Sequence, residues 1–220
     1  MKSRSQLKRI WVFLWKSNSI WSWIANVIIA FVLIKFIIYP GLGLVMHTTH
    51  PIVAVVSESM DHRVLYNQLY RDYMLCGKSF KKTEQIDFDK YWQLCGEWYE
   101  KHVNITKEEF AKFPFHKGFK RGDIMVITGK SPEKIKLGDI IVFKSNRPYP
   151  IIHRVVAKEK RNNTYFFQTK GDHNPTSLVQ IGEDSISEDR IIGVAKFRIP
   201  WLGYVKIWFV ELVTKLFGLK

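Results

Sequence analysis

A chain of 220 residues has room for one compact domain and a membrane anchor. Its 46% hydrophobic content supports a core, and its 25% charged content argues against a polytopic membrane protein. The formal net charge of +14 suits nucleic acid or anionic lipid. No helix-turn-helix signature, RNP consensus or zinc-finger spacing is present, which argues against nucleic acid as a partner and favours lipid headgroups for the N-terminal basic cluster.

Residues 1–18 carry Lys2, Arg4, Lys8, Arg9 and Lys16, and residues 19–39 form an apolar run. About 20 residues at about 1.5 Å each cover a ~30 Å hydrocarbon core. Trp11, Trp15, Trp21 and Trp23 suit an interfacial belt. The positive-inside rule places the basic end in the cytoplasm and residues after 40 outside. Lys35 lies near the outer end of the span, where its stem can snorkel. A cleaved signal peptide is the rival reading, but the run is long for one and lacks an A-x-A site, so the expectation is an uncleaved signal-anchor in the cell membrane.

Residues 51–60 open the β core, and within them 51–57 (PIVAVVS) predict a short buried strand bounded by serines. Residues 61–117 predict a helical insert of three helices. Tyr66, Tyr70 and Tyr73 fall at helical spacing, as do Phe88, Tyr91, Trp92, Cys95 and Tyr99. Thr106 to Glu109 is a capping box flanked by Ile105 and Phe110. Cys76 and Cys95 form either one bridge, which the outside location permits, or two buried thiols. Neither has a histidine at metal-ligand spacing, and no metal or cofactor is expected.

Residues 118–200 predict strands at 124–128, 140–143, 151–156, 164–170 and 191–199. Gly-Asp recurs at Asp123, Asp139 and Asp172, and the first two are expected to be turn formers. Residues 201–219 are aromatic and aliphatic but broken by Lys206, Glu211 and Lys215, which predicts an interfacial or short membrane helix.

Polar residues that interrupt the apolar β segments supply a hydroxyl, an imidazole and a carboxylate: Ser57 or Ser59, His153 and Asp172. A serine needs a base within hydrogen-bond reach, and a carboxylate on the far ring nitrogen fixes the histidine tautomer. Residue types alone do not single these out, because a lone histidine in a strand is commonly structural.

The local words are more specific. SESM after an N-terminal anchor, then RGDIMVI, LGDIIVF, IIHRVV, TKGDHNP and RIPWLGYVKI resemble, in this order, type I signal peptidases, above all the archaeal and endoplasmic-reticulum branch. The resemblance covers roughly residues 15–60 and 118–210 and implies a mainly β catalytic domain of signal-peptidase/LexA-like twisted antiparallel sheets. It implies Ser59 as nucleophile, His153 as general base in place of the bacterial lysine, and Asp172 as the aspartate that aligns it. Ser57 falls where the bacterial branch has an oxyanion-hole serine. Two departures stand out. His62 replaces a frequent proline, and Leu178 occupies the place of a second aspartate, leaving Ser177 or Asp184 as alternative orienting groups.

The expected function is a membrane-bound serine endopeptidase that removes signal peptides after small residues, with Met60 and its strand walling a shallow pocket. Its partners would be signal-bearing preproteins, the lipid bilayer and the protein-translocation machinery. The alternative is a non-catalytic membrane-anchored β domain that binds a translocation partner or peptide.

Overall fold

The computed structural model describes residues 2–217 and divides into two units at residues 49 and 50. In the first, α1 (Lys2–Lys16) and α2 (Ile20–Leu33) are joined by a short turn. The Ser19 side chain caps α2 by accepting from Trp21 N–H at 3.3 Å. Ser22 Oγ and Asn26 Nδ2 donate to the carbonyls of Phe13 and Leu14 at 2.6 and 2.9 Å, satisfying acceptors that the end of α1 leaves open. A π-helical stretch, Ile34–Ile38, continues α2 into α3 (Tyr39–Met46).

Together these make the one helix, Ile20–Met46, that is long and apolar enough to cross a membrane among the described residues. It runs past the expected end at residue 39. Pro40 has no N–H and crowds the preceding turn, and the wider π turn accommodates it so that the helix is not broken. Lys35 Nζ lies over the rings of Phe31 and Phe36, at 5.6 and 5.3 Å.

The second unit is built on a seven-stranded antiparallel sheet. In chain order its strands are β1 (Ile52–Ala54), β5 (Ile124–Thr128), β6 (Ile140–Phe143), β7 (Ile151–Arg161), β8 (Thr164–Lys170), β9 (Ile186–Ser187) and β10 (Ile191–Ile199). Their order across the sheet is β1-β5-β10-β6-β7-β8-β9. The IIVF run of β6 is apolar throughout because both its faces are covered. Ile140 and Val142 join a cluster with Met60, Met125 and Ile152, while Ile141 and Phe143 join another with Val155, Phe167 and Val194. The Asn162-Asn163 turn between β7 and β8 has positive φ at both residues, as a two-residue hairpin of this hand requires. Asp123 and Asp139 accept N–H bonds from Lys120 and Lys136 at 2.8 and 2.9 Å, which makes them turn formers.

The insert departs from the three-helix expectation. Its first part is a three-stranded sheet of β2 (Leu65–Asn67), β3 (Asp72–Leu75) and β4 (Lys78–Phe80). Tyr66 and Tyr73 are cross-strand partners with ring centroids 5.2 Å apart, so their spacing reflects a hairpin and not a helix face. Arg71, at φ 53, turns the chain between them. The second part is as expected: α4 (Phe88–Val103) buries Tyr91, Trp92, Cys95 and Tyr99, and α5 (Lys107–Phe110) carries the capping box.

Cys76 and Cys95 are joined in a disulfide that closes a separation of 19 residues. A loop of that length is worth about 3 kcal/mol, or roughly 6–12 °C in a chain of this size. Reductant, or the Cys76→Ser/Cys95→Ser pair, should lower the melting temperature by about that amount. An unchanged melt in both would mean that the bond is not formed in the oxidised protein.

After β10 the chain enters α6 (Gly203–Phe217). Gly203 N–H donates to Gly122 O at 2.9 Å, and Ile207 is buried, whereas Val205, Trp208, Phe209 and Leu212 are exposed. Residues 218 and 219 of the expected C-terminal helix lie outside the described residues.

Candidate active site

Ser59 follows β1 at a turn in which Asp61 N–H donates to Glu58 O at 3.0 Å. The turn is fastened to the sheet by Phe119 N–H, which donates to Met60 O at 3.1 Å. Met60 itself is buried, with Sδ 3.5 Å from the Asp172 amide. Its side chain therefore lines the core and not an open pocket, contrary to the expectation above. Ser59 remains partly exposed.

His153 lies on β7, paired with Ile141 of β6. Its Nε2 is 2.7 Å from Ser59 Oγ, although 94 residues separate the two in the chain. Its Nδ1 makes a short contact with Glu183 Oε1. Glu183 is fully buried and tightly held. Thr169 Oγ1 donates to Oε1 at 2.9 Å, Leu178 N–H donates to Oε2 at 2.8 Å, and the Glu183 carbonyl accepts Thr169 N–H at 2.9 Å. A hydroxyl, an imidazole and a carboxylate thus lie in line. This arrangement can draw the proton from Ser59 Oγ onto Nε2 while the carboxylate holds Nδ1–H and steadies the imidazolium.

The carboxylate is not the one the sequence pointed to. Asp172 makes no bond to His153; its oxygens are taken by other partners. Arg154 Nε and Nη2 donate to Oδ1 and Oδ2 at 2.9 and 2.7 Å, His62 Nε2 is 3.0 Å from Oδ2, and Tyr99 Oη donates to Oδ1 at 3.2 Å. The reason is strand alternation: successive side chains on β7 leave opposite faces, so His153 and Arg154 serve different sites. Arg154 is fully buried and also donates to the carbonyls of Pro114, Phe115 and Gly138.

The two alternatives for orienting His153 are also displaced. Ser177 Oγ accepts from Gln168 Nε2 at 3.1 Å, and Asp184 is exposed. Asp184 misses by one residue, since Glu183 takes the inward position. The adjacent acids in IGEDSIS were the available signal, because only one of two neighbours in extended chain can face the core. Ser57 is exposed, with Oγ 3.1 Å from Ser59 Oγ.

Burial works to raise the Asp172 pKa, but the Arg154 guanidinium and the bonds from His62 and Arg154 override it and hold the carboxyl well below its usual value. Burial, reinforced by the Asp172 charge, drives the Tyr91 and Tyr99 phenols well above theirs, so both are hydrogen donors at neutral pH. Lys170, buried with Nζ 4.6 Å from the Tyr99 ring centroid, is lowered by desolvation to about 8. Gly171 is required by crowding. An added Cβ would lie 2.9 Å from both His153 Nε2 and Ser59 O. Among the described residues no group of three His, Cys, Asp or Glu side chains is arranged to hold a metal ion.

Comparison with known proteins finds similarity to signal peptidase catalytic subunits. More narrowly, its similarity is to SEC11 subunits of the signal peptidase complex. It is 36% identical over 94 residues to Signal peptidase complex catalytic subunit SEC11C of Homo sapiens, covering 40% of this chain and 49% of that protein. It is 33% identical over 115 residues to Signal peptidase complex catalytic subunit sec11 of Schizosaccharomyces pombe, covering 42% and 61%. With Signal peptidase complex catalytic subunit SEC11 of Zygosaccharomyces rouxii it shares 33% over 99 residues, covering 42% and 59%. The chain thus spans about half the length of the first of these relatives. No family model matches it.

Proposed function

We propose that this chain is a membrane-bound serine endopeptidase that cleaves N-terminal signal peptides from exported preproteins. The observation that carries the reading is the 2.7 Å approach of His153 Nε2 to Ser59 Oγ, with Glu183 on the opposite ring nitrogen. The names of its relatives, signal peptidase catalytic subunits, favour the same substrate class.

In this reading Ser59 Oγ attacks the scissile carbonyl carbon and its proton passes to His153 Nε2. Glu183 accepts Nδ1–H and stabilises the imidazolium. The Ser59 backbone N–H and the Ser57 hydroxyl stabilise the oxyanion. As the tetrahedral intermediate collapses, the C–N bond breaks and His153 returns the proton to the leaving amine. Water, deprotonated by the same imidazole, then releases the signal peptide from the acyl-enzyme.

Ile20–Met46 spans the membrane, with the basic residues before it in the cytoplasm and the β domain outside, as the positive-inside rule favours. Because the apolar part of a signal peptide partitions into the same bilayer, tethering raises the local substrate concentration. The exposed aromatic side chains of α6 suit contact with lipid. The chain acts as the catalytic part of a larger assembly at the site of protein translocation, in keeping with the word "complex" in its relatives' names.

The test is cleavage of a signal-bearing precursor by the detergent-solubilised protein. Wild type should yield the mature fragment, and Ser59→Ala and His153→Ala should yield none on the same time scale. Equal cleavage by all three would end the protease reading and favour a non-catalytic β domain that binds a partner or peptide.

A further inference from the structure

Residues 171–173 pass directly behind the nucleophile. His173 N–H donates to Ser59 O at 2.8 Å, and Gly171 lies against both Ser59 O and His153 Nε2. Where this segment sits therefore fixes where the Ser59 backbone, and with it Oγ, stands relative to the imidazole. Besides the two bonds from Arg154 to Asp172, several of the bonds that hold the segment come from the insert. Tyr91 Oη donates to Asp172 O at 2.9 Å, Tyr99 Oη donates to Asp172 Oδ1 at 3.2 Å, and Cys76 N–H donates to His173 O at 2.9 Å. Tyr91 and Tyr99 lie about two turns apart on one face of α4, and both are fully buried. His62, only three positions after Ser59, stacks on Tyr91 with centroids 3.6 Å apart while bonding Asp172 Oδ2 at 3.0 Å.

We propose that helix α4 is a brace for the active site and that Tyr91 and Tyr99 are positioning residues acting through the 171–173 segment on the Ser59–His153 pair. The inference rests on the catalytic reading above. It concerns the hydroxyls: the rings belong to the insert's apolar cluster and would pack there whether or not they reached Asp172. A misplacement of about 1 Å can cost about 10²-fold in rate for a nucleophile that must meet both a base and a carbonyl carbon.

Tyr91→Phe and Tyr99→Phe keep the rings and remove only the hydroxyls. In the full-length solubilised protein, each variant is compared with wild type for kcat and KM on a precursor, for the rate at which a fluorophosphonate labels Ser59, and for melting temperature. The expected result for Tyr91→Phe is a fall of about 10- to 100-fold in kcat and in labelling rate, with KM unchanged and the protein folded at the assay temperature. Tyr99→Phe should move the same two quantities in the same direction, and it carries the test should Tyr91→Phe fail to fold.

Wild-type labelling rates in the folded variants would overturn the brace and leave the protease reading intact. So would a loss of activity that disappears once rates are expressed per folded molecule, because that is what mere core filling predicts. A wild-type protein that neither cleaves nor labels would overturn both.

Discussion

Glu183→Gln is expected to lower kcat about 10⁴-fold, as carboxylate-to-amide change does beside a catalytic histidine, while KM and the fold are kept. The reasoning is an accounting of donors. Glu183 Oε2 faces Leu178 N–H, a donor that cannot become an acceptor. Oε1 faces Thr169 Oγ1, which can turn, and His153 Nδ1. Glutamine has one oxygen, and Leu178 N–H claims it. The NH₂ group is then turned toward Thr169 and His153. His153 must accept at Nδ1, so its proton resides on Nε2, the atom that has to receive hydrogen from Ser59. The side chain stays in place in the wrong tautomer. Steady-state kinetics on a precursor check this, and Asp184→Asn is the control, expected to be neutral because Asp184 is exposed. If Glu183→Gln matched wild type, the carboxylate would have no part in the relay.

Asp172→Asn should instead strike at stability. Arg154 is wholly buried, and Asp172 is its carboxylate partner. Removing one member of a buried pair leaves an uncompensated charge and costs about 3–5 kcal/mol. Urea unfolding of the solubilised protein measures it, and a loss under about 1 kcal/mol would show that the pair behaves like a surface one. The substitution also changes the response to acid. Asp172 titrates lower in the folded protein than its ordinary value of 3.8. The folded state therefore binds fewer protons than the unfolded state below that pH. The stabilisation is fully present above the ordinary value and is lost as pH falls from it toward the folded one. Asp172→Asn should accordingly flatten the acid limb of the stability curve while lowering its plateau.

These two carboxylates also mark where the sequence was legible. The β segments 124–128, 140–143, 164–170 and 191–199 match β5, β6, β8 and β10 because composition and bounding turns are local properties. Phe88, Tyr91, Trp92, Cys95 and Tyr99 marked the buried face of α4 for the same reason. The tyrosines at 66, 70 and 73 misled because helical spacing and a tight hairpin can share the same intervals; only the positive φ at Arg71, a backbone property, separates them. The site was legible in part. Ser59 and His153 do meet, but the third member depends on which side chain of each adjacent pair, His153-Arg154 and Glu183-Asp184, faces inward. Facing is set by register with β6 and β8, which no short word records.

The adjacency of His153 and Arg154 has a consequence for assembly of the β domain. A slip of β7 by a single position against its neighbours would put either Arg154 at the serine and Val155 at the aspartate, or Ile152 at the serine and His153 at the aspartate. Either way Ser59 would lose the imidazole and Asp172 its guanidinium. Such a misthreaded molecule would be destabilised and, on the proposed reading, inactive as well. His153 and Arg154 thus work as a two-tooth key, and only the threading that fits both locks keeps the Ser59 contact and the buried ion pair.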